Sequence, residues 1–287
     1  MTMHQINVQT GFVKTEGDDL YFEIRGNGPP VLMIPGGGGN SMLYSLAADL
    51  LSDQYKVITY DRRATSRSTG NDPQSFDIGQ QSRDAVAVLH AAGENSAFIF
   101  GNSSGAVIAL DMAKTQPQTV RAMIAHEPPL ARLHPHARKW QRFFAGVYLT
   151  EFRFGSFPAM LQFVLGIGLP IGRIAKASAG LERYKQEHLD SQAGFGDDND
   201  FFMKQELLPV TNYMPDIGMI KRNGVKVYLA AGEMSLQKKR FYAETAPVLA
   251  GMLHCEMITF PGHHVSYLDM PGEWTAVLRE VLHKAEM

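Results

Sequence analysis

The chain of 287 residues predicts an α/β fold, a mostly parallel central sheet with helices on both faces. Three observations predict it. Apolar strand-like runs alternate with helix-like segments from about residue 31 to 129, and the same alternation returns at Val225. Between them lies a segment rich in large apolar residues that lacks the alternation. Alternation of this kind builds βαβ units, because a crossover helix brings the chain back to the edge it left and leaves consecutive strands parallel. The expected organisation is a core from 1–130 and 216–287, with an inserted helical cap at 131–215.

Taken in order, Phe12 to Arg25 reads as a hairpin turning at Glu16-Gly17-Asp18-Asp19. Val31 to Ile34 is a short continuous apolar run, the pattern of a strand buried on both faces, and it ends in Pro35-Gly36-Gly37-Gly38-Gly39. Asn40-Ser41 can cap a helix over Met42 to Leu51. Lys56 to Tyr60 is the next strand, followed by the polar loop Asp61 to Gly70. Ile78 to Ala92 has helical spacing, with Ala85, Val86, Val88 and Leu89 on one side. The strand at 97–100 runs into Gly101-Asn102-Ser103-Ser104-Gly105 and a helix from Ala106 to Thr115, and Val120 to Ala125 is a strand ending at His126-Glu127. After the insert, Val225 to Ala231 is a strand, Lys238 to Leu249 a helix, Glu256 to Phe260 the last strand and Trp274 to Lys284 the closing helix.

The insert is helical in composition and carries Trp140, Phe143, Phe144, Tyr148, Phe152 and Phe154 near its start. No residue from Phe154 to Gly172 is charged, nearly the length of a membrane span. Pro158, Pro170, Gly155, Gly166 and Gly168 interrupt that run, so the expectation is a cap folded over an apolar pocket without stable membrane insertion. Ser191 to Asp200, with its glycines and aspartates, reads as an exposed loop.

Bulk properties narrow the function classes. The formal net charge is −2, and dispersed Lys and Arg leave no electrostatic footprint for nucleic acid. Cys255 is the single cysteine, so no intrachain disulfide forms. A lone thiol, with no basic and apolar leader pattern at Met1-Thr2-Met3-His4-Gln5, suits the cytoplasm. The composition is compatible with a homodimer. The glycine run lacks both the Gly-Lys-Ser/Thr ending of a phosphate loop and the third glycine of a dinucleotide fingerprint, since Met42 stands there. No metal and no organic cofactor is expected.

The glycine run, the Asp61 loop, Ser103 and Glu127 all fall at the carboxyl ends of predicted parallel strands, where such sheets carry their sites. Gly101-x-Ser103-x-Gly105 between a strand and a helix is the pattern that lifts a serine hydroxyl out of a sharp turn, with glycines where a Cβ would crowd the neighbouring backbone. A serine is a weak nucleophile unless a base takes its proton, a carboxylate holds that base and N–H donors meet the developing oxyanion. Ser104, at the helix start, and Gly36 or Gly37, in the first βα loop, are candidates for those N–H groups. His263 and His264 are candidate bases after the last strand, and Glu127 and Glu233 are candidate acids. Asp111 falls on the helix after Ser103, facing away from a triad, and reads as structural.

The whole pattern of nucleophile elbow, glycine-rich loop, cap and late Phe260-Pro261-Gly262-His263-His264 resembles the α/β-hydrolase superfamily over nearly the full chain. The resemblance implies an α/β-hydrolase fold, and places the reactive histidine after Pro-Gly-x, at His264. Many members of that superfamily carry an acid within Gly-x-x-Asp after the penultimate strand. Here the stretch is Gly232-Glu233-Met234-Ser235, with serine at the usual acid position. His126-Glu127 resembles instead the subgroup of zearalenone-hydrolysing lactonases, whose acid lies there, and that favours Glu127. Asp61-Arg62-Arg63 with Arg67-Ser68 resembles a loop that braces the active site, an ordinary solvated turn being the other reading.

The expected site is therefore Ser103, His264 and Glu127, with Gly37 and Ser104 as oxyanion donors. The expected activity is cleavage of a carboxylic ester or lactone of an apolar small molecule through an acyl-enzyme. A C–C or amide hydrolase of the same fold, or a receptor that has lost turnover, are the alternatives, because a fold does not by itself determine chemistry.

Overall fold

The computed structural model describes residues 7–72, 76–188 and 199–287. Its strands are β1 (Val8–Thr15), β2 (Asp18–Arg25), β3 (Pro30–Ile34), β4 (Lys56–Tyr60), β5 (Ala97–Asn102), β6 (Val120–His126), β7 (Val227–Gly232) and β8 (Glu256–Phe260). They form one sheet in the order β1-β2-β4-β3-β5-β6-β7-β8. β1 and β2 pair antiparallel, as do β2 and β4, and every pairing from β4 across to β8 is parallel. The sheet is the α/β-hydrolase fold expected above, with a helical insert after β6.

The helices of the first half are α1 (Ser45–Leu51), α2 (Ile78–Ala91) and α3 (Ser104–Thr115). The insert contributes α4 (Ala137–Phe154), α5 (Ser156–Ile167), α6 (Ile171–His188) and α7 (Asn199–Phe201), then a π-helical turn over Phe202–Glu206 and α8 (Leu207–Thr211), and α9 (Ile217–Arg222) leads back to the sheet. The chain closes through α10 (Glu233–Gln237), α11 (Phe241–Leu253), α12 (Ser266–Asp269) and α13 (Pro271–Glu286).

Side chains alternate across a strand, and the central strands use both faces. Val31 and Met33 of β3 pack in one layer with Tyr44, Phe100 and Trp274. Leu32 and Ile34 pack in the other with Val107, Leu110 and Leu249. This double burial is why β3 and β5 read as unbroken apolar runs.

Several local expectations shift. The helix expected from Met42 opens as a 3₁₀ turn over Ser41–Tyr44, with the Asn40 side chain accepting from Met42 N at 3.1 Å, before α1 begins. The strand expected from Val225 begins at Val227, where its pairing with β6 begins. The helix expected over Lys238–Leu249 is α11, which starts at Phe241, and a separate short helix, α10, lies before it. Glu233 opens α10, Lys239 adopts a left-handed φ of 48°, and the chain turns into α11 at Phe241. Of the loop expected at 191–200, residues 191–198 lie outside the described residues, while Asn199 and Asp200 open α7.

Candidate active site

Ser103 sits in the turn between β5 and α3 with φ 56° and ψ −121°, a backbone conformation that an L-residue holds at a cost of about 1–3 kcal/mol. Its N–H donates to the His126 carbonyl at 2.9 Å, and its hydroxyl makes no capping bond to α3. The turn closes because Gly101 and Gly105 lie against each other, and Gly105 against the Ile34 carbonyl, leaving no room for a Cβ at either place. Gly36 packs beside Ser103, where an added Cβ would stand 3.2 Å from the serine Cβ. Gly37 lies against Ser104 Oγ and the ring of Phe202.

His264 follows β8. Its Nδ1 lies 2.5 Å from Glu127 Oε2, and the Tyr242 ring centroid is 4.2 Å from its own. A proton on Nδ1 facing the carboxylate leaves Nε2 as the basic nitrogen of the ring. Glu127 is fully buried just beyond β6, in a left-handed turn of φ 49°, and Oε1 accepts the Gly232 N–H at 2.8 Å. Burial pushes its carboxyl up, but the adjacent His126, the bond to His264 and the Gly232 N–H together hold it below the ordinary carboxylate value. Gly232 is glycine because the Gly262 carbonyl and His263 Cα press against it, which keeps the ends of β7 and β8 close.

Ser103, Ser104, Gly36, Gly37 and His264 line one cavity of about 320 Å³. Its roof is Phe144, Met160, Phe163 and Ile167 from α4 and α5, with Phe202 from the π-helical turn and Leu207 from α8. No Asp, Glu, Lys or Arg is among its described lining residues. Glu127 stands behind His264, shielded from the cavity.

The other candidates lie elsewhere. Glu233 is exposed at the start of α10 and accepts from Gln237 Nε2 at 3.0 Å. Ser235 is buried within α10. His263 turns away toward Asp269, 3.1 Å from its Nε2, and Arg173 Nε donates to the same carboxylate oxygen at 2.8 Å. Asp111 accepts from Tyr213 Oη at 3.2 Å and does not line the cavity.

The Asp61 loop is no solvated turn. Asp61, Arg62 and Arg63 are all buried. Asp61 accepts the Ser41 N–H at 2.9 Å and Arg67 Nε at 2.6 Å, which ties this loop to the end of the glycine run. Arg62 reaches the insert, donating to both oxygens of Glu206 at 2.9 and 2.7 Å.

Sequence reasoning missed five contributors. Asn102 Nδ2 donates to Tyr267 Oη at 3.2 Å, and its Oδ1 lies 2.7 Å from His126 Nδ1. These three side chains form a polar floor under the turn. Burial holds the His126 imidazole down at about 4, so it is neutral near neutral pH. Its only sequence signal was its place beside Glu127. Phe202 and Glu206 fall in a helical segment whose spacing does not mark them out. Among the described residues no group of three His, Cys, Asp or Glu side chains is placed to hold a metal ion.

A family profile described as alpha/beta hydrolase fold matches residues 29–157. The chain is 28% identical over 285 residues to an uncharacterized hydrolase of Bacillus subtilis, covering 97% of this chain and 98% of that protein. It is 32% identical over 120 residues to a zearalenone hydrolase of Cladophialophora bantiana, 40% of this chain and 45% of that protein. Among solved structures, a thermophilic esterase from Thermogutta terrifontis superposes with a TM-score of 0.71 at 17% identity, over 97% of this chain and 100% of that one.

Proposed function

We propose that this chain, an α/β-hydrolase-fold protein, is a serine hydrolase that cleaves a carboxylic ester or lactone of an uncharged, apolar small molecule. The observation that carries the proposal is the 2.5 Å contact of His264 Nδ1 with the buried Glu127 carboxylate, in a histidine that shares one cavity with the strained Ser103. A carboxylate held in its charged form orients the imidazole and stabilises it once it takes a proton.

In this mechanism Ser103 Oγ adds to the substrate carbonyl carbon as its proton passes to His264 Nε2. The carbonyl π electrons move onto oxygen, which the N–H groups of Gly37 and Ser104 receive. Collapse of that intermediate breaks the bond to the alcohol oxygen, which leaves with the proton from His264. For a lactone the freed hydroxyl stays tethered to the acyl group. Water then adds to the acyl-enzyme with His264 taking its proton, and the second collapse returns that proton to Ser103 as the acid departs. The apolar, uncharged lining supports a neutral substrate, since a charged group would be desolvated there without a partner. The similarity to a zearalenone hydrolase supports the reading.

The test is a panel of esters and lactones of graded acyl length, run beside Ser103→Ala and a fluorophosphonate probe. The expected result is labelling at Ser103 and a loss of kcat/KM of about a thousandfold or more in the folded alanine variant. Absence of labelling in the folded wild type overturns it and leaves a non-catalytic receptor as the better reading, and unchanged turnover by Ser103→Ala overturns Ser103 as the nucleophile.

A further inference from the structure

α4 and α5 form an antiparallel helical hairpin that turns at Gly155, whose φ is 87°. Thr150 Oγ1 lies 2.7 Å from Gln162 Oε1, and Gly166 packs against the Phe143 ring, which sets the register of the two helices. The inner faces, Phe144 on α4 and Met160, Phe163 and Ile167 on α5, roof the cavity. The outer faces are also apolar. Phe152, Phe154 and Phe157 at the tip are 61%, 70% and 80% exposed, and Leu149, Leu161 and Leu165 continue the patch along the hairpin. α5 carries no charged residue on any face. A helix apolar all round is ordinarily covered all round, and here the described residues cover one side.

We infer that the outer face of this hairpin docks on an anionic lipid surface, its phenylalanine tip entering the boundary between headgroups and acyl chains. Charge chooses the occupant. From Ala137 to Leu181 the chain has six cations, Arg138, Lys139, Arg142, Arg153, Arg173 and Lys176, of which Arg173 is paired with Asp269, against one acid, Glu151, and that acid is buried. The whole chain carries a net charge of −2, so the positive charge is concentrated on these helices. Arg153 lies between exposed Phe152 and Phe154, and Arg142 shares the exposed stripe of α4 with Leu149. Asp200, at the edge near Ser156, is paired with Lys204. A two-fold contact with a second copy would set this cationic face against itself, whereas phenylalanines flanked by arginines suit an anionic bilayer. No single described helix is long and apolar enough to cross a membrane. α5 and the first part of α6 reach that composition together but bend by 116°, so they form no straight span. Docking there would put lipid on one side of the hairpin and the cavity on the other.

The test uses the full chain carrying Ser103→Ala, so that no lipid is turned over, and co-sedimentation with vesicles. One set is phosphatidylcholine alone, the other equal parts phosphatidylcholine and phosphatidylglycerol. The expected result is partitioning onto the mixed vesicles that weakens with added salt and is poor on phosphatidylcholine alone. Phe154→Ser with Phe157→Ser should lower it at least about tenfold. Arg153→Glu should lower it about fivefold or more on the mixed vesicles alone. Both changes are at exposed side chains, and a thermal melt checks that the fold is kept. No partitioning, or partitioning that ignores the two serine substitutions, overturns the inference. So does a wild-type dimer that the serine pair converts to a monomer without vesicle binding, which would make the face an interface between copies. None of these readouts depends on turnover, so they fail or succeed independently of the hydrolase reading.

Discussion

Arg62, just past β4, and Glu206, on the π turn of the insert, are joined by two hydrogen bonds with neither side chain exposed beyond 1%. The residues are 144 positions apart in the chain. The pair anchors the turn that sets Phe202 over Gly37, and so couples the roof of the cavity to the loop proposed to hold the oxyanion. Two buried charges repay their desolvation only together. Glu206→Leu should therefore destabilise the protein by about 3 kcal/mol or more, because it strands the arginine. Arg62→Met with Glu206→Leu should recover much of that loss. Urea melts of the single and double variants check this, and a double variant no better than the single would remove the pairing argument.

Gly37 offers a sharper probe of the same contact. A Cβ there meets the Phe202 ring and stands 3.1 Å from Ser104 Oγ. Gly37→Ala keeps the N–H but must move it or the ring, so kcat/KM should fall about tenfold or more. Phe202→Ala in that background should restore part of the rate. If it restores nothing, the displaced group is the backbone and not the ring.

The acid can be assigned by comparing two isosteric changes. Glu127→Gln removes the charge behind His264 and should cost about a thousandfold in kcat. Glu233→Gln alters an exposed side chain bonded to Gln237 and should change kcat less than about twofold. A larger loss in the second variant would reverse the assignment.

His126 makes a prediction about acid. In the fold its imidazole is held at about 4 by burial, against an ordinary value of 6.5. Between those values the unfolded chain binds the extra proton, so stability falls as pH falls from 6.5 toward 4. The loss amounts to about 3 kcal/mol when complete. Glu127, held below its ordinary value, adds a further loss at lower pH, as pH falls through its folded value. Stability measured at neutral pH and near about pH 5 should drop in the wild type and drop less in His126→Gln. An equal drop in both would show that the acid sensitivity lies elsewhere.

What could be read from the chain was local. A strand buried on both faces must be apolar throughout, so β3 and β5 announce themselves. The turn at Ser103 needs glycines at two places, so Gly101 and Gly105 mark it in five residues. Helix boundaries were less legible. A left-handed Lys239 delays the helix expected from 238 until Phe241, and lysine carries no signal for that conformation.

The sequence by itself determined the alternation of strands and helices, the sharp turn presenting Ser103 and the set of candidate partners at strand ends. Those features depend on side-chain period and on backbone space within a few residues. Tertiary structure alone decided which candidates meet. Glu127 and Glu233 both follow strands, and spacing cannot separate them. The fold places Glu127, in its left-handed turn, against His264 and Gly232, while Glu233 faces solvent. Arg62 finding Glu206 and Asn102 finding His126 and Tyr267 were hidden for the same reason. A buried polar group must be paired, but the chain does not say with what until distant segments pack together.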